Sequence, residues 1–180
     1  MQVAPLGHDE NVIGAAALLV ADRMRQAVEP LAGTSGASAA ALTALLAWAD
    51  GAPVDALAAG LRLSHSRAVR VVDALEREGL AVRGPDRTDG RRALVHLTKQ
   101  GRAAAARVLD ARAGAVREVL ASLDADGRRA LAAAAEAILE DAADSRAEAR
   151  AICRLCDAVA CGHPTGGCPA TAGADSRERP

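Results

Sequence analysis

A single aromatic side chain, Trp48, serves a chain of 180 residues that contains no Phe and no Tyr. Without large rings, the core has to close with Leu, Val, Ile and Ala. Side chains of that size favour closely packed helices, because helix separation follows the residues at the contact. About half of the residues are apolar (51%), enough for one such core. The expectation is a mainly α chain forming a single domain over residues 1–180.

Apolar residues at helical spacing predict a first helix over residues 9–29, through Val12, Ile13, Ala16, Leu19, Val20 and Met24. Pro30 ends it, since the residue before a proline avoids the helical region. Ser38 is expected to cap a second helix reaching Ala49. Pro53 fits the first turn of a third, where its missing N–H costs nothing. Thr98 should cap a long fifth helix to about Leu123. Asp124 or Asp126 should start a sixth, with Leu131, Ile138 and Leu139 inward and no strong breaker before Cys161.

Only the stretch Leu61–Thr98 departs from helix. Ser64 is a good N-cap, and Ala68, Val71, Val72 and Leu75 mark a buried helical face. Arg67, Arg70 and Arg77 lie off that face, and Gly79 stops the helix. Leu80–Arg83 reads as a short strand, residues 84–92 as a turn-rich tip, and Ala93–Leu97 as an alternating return strand. A polar-headed helix followed by a basic hairpin is a winged helix-turn-helix with a two-stranded β wing, here over residues 38–98. In such a unit the helix enters the major groove and the hairpin reaches backbone or minor groove.

The candidate DNA contacts are Ser64, His65, Ser66, Arg67 and Arg70 on the helix, with Arg87, Asp89, Arg91 and Arg92 on the tip. Arginine can donate two hydrogen bonds to guanine, and Ser or His can reach base or backbone. Alone, Arg67 and Arg70 would be ordinary solvated residues and Asp89-Gly90 an ordinary turn. The neighbouring basic wing shifts the reading to DNA. The overall charge of −1 argues the other way, but its distribution does not. Residues 61–102 hold ten basic and five acidic side chains, a net of +5, whereas 118–150 net −4. One basic lobe and one acidic lobe suit a protein that presents one end to phosphate.

The same stretch resembles the MarR family of bacterial transcriptional regulators. The matching residues are Leu57-Ala58, Leu61, Leu63-Ser64, Val72-Asp73, Leu75-Glu76, Gly79-Leu80, Val82 and Arg83, then Asp86, Asp89-Gly90-Arg91-Arg92, Leu97-Thr98 and Gly101. The resemblance extends more loosely over residues 10–150 and stops near Ala151. It implies that Arg91 is the groove-inserting arginine and Asp89 the carboxylate that orients the tip. It also implies that helices over 9–30 and 99–152 interlock two subunits. Independently, the apolar stripes on the first, fifth and sixth helices need more cover than one small winged lobe supplies, and a symmetric homodimer is the economical answer.

All four cysteines fall in the tail, residues 153–169, at C-x2-C-x4-C-x6-C spacing: Cys153, Cys156, Cys161 and Cys168. If the sixth helix continues to Cys161, three thiols share half of its surface, and the glycine-rich loop after it can fold back to deliver Cys168. Asp157 and His163 are spare ligands. Zinc sites usually pair two C-x2-C knuckles, and only one is present. Iron–sulfur sites tolerate irregular spacing, some ending in Cys-Pro as at Cys168-Pro169. A thiol–disulfide switch needs only two of the four. Zinc, an iron–sulfur cluster, redox thiols and four unrelated thiols all stay open, and the family resemblance does not reach this tail.

The reading that results is a sequence-specific DNA-binding regulator, a repressor, acting on double-stranded operator DNA as a homodimer with its cysteine tail sensing metal or redox state. A purely structural zinc site combined with a small-molecule effector is the alternative. The rival from another class is a thiol oxidoreductase using Cys153 and Cys156, which lacks the βαβ context that motif needs. No other catalytic set is present, so no enzymatic activity is expected. No secretory signal or membrane span is seen, so the expected location is the cytoplasm.

Overall fold

A computed structural model of the chain describes residues 7–31, 36–86 and 93–178. Eight α-helices and a small antiparallel sheet make up these residues. The expected mainly α, winged helix-turn-helix architecture is the one observed.

The core is organised around α2 (Gly36–Ala44), which runs on through a π-helical turn, Leu45–Ala49. Every residue of α2 from Ser38 to Ala44 is buried. A helix buried on all sides must be apolar or small all round, and the run Ser-Ala-Ala-Ala-Leu-Thr-Ala is both. Ser38 therefore sits inside the helix and not at its cap as the sequence suggested; the helix already opens at Gly36. Leu42, Leu45, Leu57, Val72, Leu75 and Val95 close the main core around it.

The helix-turn-helix follows directly. Its first helix is α3 (Val54–Gly60) and its second is α4 (His65–Arg77). Ser64 caps α4 as expected, accepting from Arg67 N at 3.3 Å, and Ala68, Val71, Val72, Ala74 and Leu75 are the buried face. Strands β2 (Ala81–Pro85) and β3 (Ala93–Leu97) form the base of the hairpin. A third short strand, β1 (Ala52–Pro53), pairs with the other side of β3, so the sheet order is β1-β3-β2. Pro53 thus ends an edge strand, where its missing N–H is harmless, and α3 starts one residue later than expected.

Thr98 caps α5 (Lys99–Val119) and Asp124 caps α6 (Ala125–Asp141), each accepting a backbone N–H at 3.0 and 2.8 Å. Helix α1 (His8–Val28) lies along α5. Yet α1 buries only Val28 and α6 buries nothing; Ile13 and Ile138 are each 64% exposed. Of the side chains expected to point inward from α6, Leu139 packs against the chain's own C-terminal segment, whereas Leu131 and Ile138 have no cover within one chain.

The sixth helix does not reach the cysteines. It ends at Asp141, and a separate helix α7 (Arg146–Ile152) begins after Ser145. Two interactions make the break without any Gly or Pro. Ser145 accepts from Glu148 N at 3.3 Å, and Glu148 reaches back to accept from Asp144 N at 2.9 Å, close to a capping box. The guanidinium of Arg177 donates to the carbonyls of Glu140, Asp141 and Ala143, satisfying the end of α6. Arg177 belongs to α8 (Pro169–Glu178), a helix the sequence reading did not anticipate. Gly173 makes its docking possible: a Cβ there would lie 1.8 Å from the carbonyl oxygen of Glu140. The tail is thus a packed lobe with its own small core of Ala143, Ala149, Cys168, Ala170 and Ala174. The glycine-rich loop thus leads Cys168 into this small core.

Asp50 ties the sheet to α5. Its carboxylate accepts from Leu97 N at 3.0 Å, pairs with Arg102 and lies 3.7 Å from His96 Nδ1, giving His96 a partner that the sequence did not show. Burial alone would raise the Asp50 pKa, but the Leu97 N–H and the Arg102 charge outweigh it and hold the carboxyl below its ordinary 3.8. Because the folded pKa is the lower one, this stabilisation is complete above the unfolded pKa and is lost as pH falls through the folded one. Asp50→Ala should cost about 1.5–3 kcal/mol at neutral pH. Urea unfolding of both proteins should show that difference shrinking in acid below the ordinary Asp range. A difference unchanged by acid would contradict the role given to Asp50.

Candidate nucleic-acid interface and cysteine lobe

Two groups of candidate side chains lie on opposite sides of the helix-turn-helix. At the outer side, Ser64, His65, Ser66, Arg67 and Arg70 are all exposed along the first turns of α4. The hydroxyls of Ser64 and Ser66 are 3.3 Å apart. His65 Nδ1 is 2.6 Å from Asp55 Oδ1 of α3, which fixes the ring and leaves Nε2 facing outward. Among the described residues, Arg67 and Arg70 have no ion-pair partner, so the N-terminal half of α4 presents two uncompensated charges. The tip candidates Arg87, Asp89, Arg91 and Arg92 lie outside the described residues.

Arg83 behaves differently from the other arginines of the basic lobe. Its guanidinium bridges Asp73 at 2.8 Å and Glu76, both on α4, and its backbone N–H donates to Glu76 Oε1 at 2.8 Å. Its charge is spent on locking the hairpin to α4. The opposed signs of Asp73, Glu76 and Arg83 were the available signal, but the register that brings them together was not readable from the sequence.

The four cysteines stand behind the helix-turn-helix. Cys153 closes α7, and Cys156 follows one turn later, its N–H donating to Cys153 O at 2.8 Å. Asp157 accepts the N–H groups of Val159 and Ala160 at 2.9 and 3.1 Å, turning the chain toward Cys161. Gly162, in the left-handed region, then accepts from Gly167 N at 2.8 Å and returns the loop to Cys168, just ahead of α8. All four thiols, with His163, Trp48, Arg146 and Arg150, line one cavity of about 80 Å³. They are not drawn together around a point: among the described residues, no three Cys, His, Asp or Glu side chains are arranged to hold a single metal ion as they stand. Of the spare ligands, His163 faces the cavity with Nδ1 3.3 Å from Thr171 Oγ1, whereas Asp157 serves its own turn.

The thiols polarise one another. The hydrogen bond shared by Cys153 and Cys156 lowers Cys156 to about 6; burial opposes that shift, and Arg112 and Arg154 reinforce it. The same contact, followed by burial, drives Cys153 upward. Burial raises Cys161; at Cys168 burial is outweighed by hydrogen bonds from Thr171 and the neighbouring thiols, which lower it. The Nε of Arg112 is buried and has no hydrogen-bond partner among the described residues.

This lobe is bolted to the winged helix-turn-helix lobe of its own chain. Thr43 Oγ1 of α2 donates to Arg154 O at 2.6 Å. Arg150 stacks 4.8 Å from the centre of the Trp48 ring, and that ring fills the space a Cβ on Gly60 of α3 would need, 2.4 Å away. Glu148 of α7 pairs at 2.9 Å with Arg62. Arg62 is the turn residue between α3 and α4 and has a left-handed backbone, φ 52°.

Residues 32–92 match the model of the MarR family. That segment of the chain is similar to the MarR family. No curated protein matches the sequence significantly, but solved structures of MarR-family regulators share the fold. MarR from E. coli is 22% identical, covers 77% of this chain and 99% of its own length, and gives a TM-score of 0.60. A MepR mutant from S. aureus, bound to an oligodeoxyribonucleotide, is 18% identical over 74% of this chain and 97% of its own, with a TM-score of 0.59. CouR from Rhodococcus jostii RHA1, bound to p-coumaroyl-CoA, is 23% identical over 71% and 88%, with a TM-score of 0.54. No single helix among the described residues is long and apolar enough to cross a membrane.

The thiol electrostatics of this MarR-like chain make a direct prediction. In reduced, metal-free protein Cys156 should alkylate first, with a rate that follows thiolate formation at a midpoint near pH 6. Arg112→Ala should move that midpoint up. Peptide mapping after brief iodoacetamide treatment checks both, and faster labelling of Cys153 would contradict them.

Proposed function

We propose that this chain is a sequence-specific DNA-binding transcriptional regulator, a repressor, that works as a homodimer and receives its signal through the cysteine lobe. The observation that carries the reading is the exposed N-terminal half of α4. Ser64 and Ser66 stand there with Arg67 and Arg70, whose charges have no partner among the described residues. Unpaired guanidinium groups at the head of a helix that projects beside a hairpin suit guanine edges and phosphates. The oligodeoxyribonucleotide bound by MepR supports the same use of the fold.

The homodimer rests on the bare faces of α1 and α6, where Val12, Ile13, Leu18, Leu19, Leu131 and Ile138 are exposed in a single chain. Such patches are a liability unless covered, and two-fold pairing covers both at once. A dimer would set two α4 helices about one DNA turn apart, ~34 Å. Repression follows most simply, because a protein spanning two major grooves excludes others from the same site. We assign no enzymatic activity: Cys153-x-x-Cys156 closes α7, and the sheet described is wholly antiparallel, unlike the βαβ setting of a thiol oxidoreductase. A reader of chromosomal DNA belongs in the cytoplasm, where thiols are kept reduced.

One observation favours a second input. A cavity of about 390 Å³ lies between α1, α2 and the α3–α4 turn, lined by Met24, Val28, Leu61, Leu63 and Leu155 with Arg25, Glu29 and Arg154. Its size suits a small organic molecule, and CouR is bound to p-coumaroyl-CoA.

With a duplex obtained by selection, Arg67→Ala, Arg70→Ala and Arg91→Ala should each weaken binding by about 1–3 kcal/mol where the residue reads a base. A phosphate contact should instead weaken all sequences alike and flatten the salt dependence. Unchanged binding in all three variants would refute the DNA-reading assignment. Light scattering at micromolar concentration should return twice the chain mass, and a stable monomer would refute the dimer.

A further inference from the structure

We propose that Cys153, Cys156, Cys161 and Cys168 together ligate one iron–sulfur cluster in the cavity they ring, and that the α3–α4 turn reads its presence through Glu148 and Arg62. The ligand half rests on the cysteine lobe alone. The consequence for DNA rests on the DNA-binding reading above.

Three features select a cluster over a single ion. A zinc ion held by four thiolates draws them in to about 2.3 Å and leaves no void. Here the thiols line a cavity of about 80 Å³, several times the ~10–15 Å³ that one water needs. The spacing supplies one C-x2-C knuckle, not two, and the last ligand is followed by Pro169, both compatible with cluster ligation. Two arginines add positive charge: Arg150 lines the cavity, and Arg112 beside Cys156 has a buried Nε with no partner among the described residues, whereas Arg146, also at the cavity, pairs with Asp175 at 2.8 Å. Four thiolates around a cluster give a net anionic centre, which those guanidiniums offset. On ligation each thiol gives its proton to solvent as its sulfur–iron bond forms.

The route outward is short. Cys153 is the C-cap of α7, and Glu148 is in the first turn of the same seven-residue helix. Fixing Cys153 and Cys156 on a rigid centre fixes that helix. Glu148 then holds Arg62 at 2.9 Å, and Arg62 lies two residues before the Ser64 cap of α4. Release of the cluster frees the end of α7 and with it the turn that aims α4.

The test uses the full chain, isolated without oxygen and reconstituted with ferric iron, sulfide and excess dithiothreitol, the thiol supplying any electrons the cluster needs. Iron and acid-labile sulfide in comparable amounts, with visible charge-transfer absorption, are expected. Cys153→Ser and Cys168→Ser should lose both. Cys161→Ser, at a half-exposed position that α-helical packing does not require, serves as the variant whose circular dichroism should stay unchanged while the absorption falls or shifts. Stoichiometric zinc without sulfide, or protein that takes up neither iron nor sulfide, would overturn the ligand. Hydrogen exchange at residues 61–67 should slow several-fold in loaded protein, and Glu148→Ala should remove that difference while keeping the absorption. Equal exchange in loaded and cluster-free protein would overturn the coupling. If neither state binds any selected duplex, the DNA-binding reading fails, while iron, sulfide and exchange still decide this inference.

Discussion

The buried hydroxyl of Thr43 connects everything else in this chain. Helix α2 is buried on every side, and near its C-terminal end Thr43, 2% exposed, brings its hydroxyl to 2.6 Å from the carbonyl of Arg154. The carbonyls of Ala39 and Ala40 in its own helix lie farther away, at 3.1 Å each, so the contact between lobes is the shortest the hydroxyl makes. That bond joins the cysteine lobe to the core of the winged lobe. The surrounding contacts follow from it: Leu155 packs against the main core, Arg150 reaches Trp48 and Glu148 reaches Arg62.

This arrangement changes what a cysteine tail can do. On the end of a continuous sixth helix, the thiols would act through the subunit interface, and any effect on DNA would pass through a rotation of the dimer. Placed behind α2 and α3, they adjoin the helix-turn-helix of their own chain. Salt bridges as exposed as Arg62–Glu148 contribute little to stability, about 0–1 kcal/mol. The pair matters for position, since it holds a turn residue whose backbone is already in a sparsely populated region.

Much of the winged lobe is legible from local chemistry. The caps at Ser64, Thr98 and Asp124, the buried stripe of α4 and the return strand at Ala93–Leu97 all follow from short-range rules that tertiary packing did not override. Ser38 was misplaced because a small polar residue reads as a cap when burial is unknown. The break after Asp141 carries no Gly or Pro, and its one local signal is the capping pair Ser145 and Glu148. Helix α8 is less legible because Pro169 reads as part of a cysteine motif and not as a first-turn residue. Arg83, Arg62 and Thr43 could not have been singled out, because their partners lie up to 111 residues away and only the fold brings them together.

The most direct test of this account is Thr43→Val in the full chain, followed by residue-resolved hydrogen exchange. Valine keeps the shape of threonine and removes only the hydroxyl, taking away the bond to the Arg154 carbonyl. The account predicts a loss of about 1–3 kcal/mol and faster exchange concentrated in residues 146–178, with the α3–α4 turn loosened alongside them. Unchanged protection across 146–178 would contradict it, because the cysteine lobe would then be held by something other than its bond to α2.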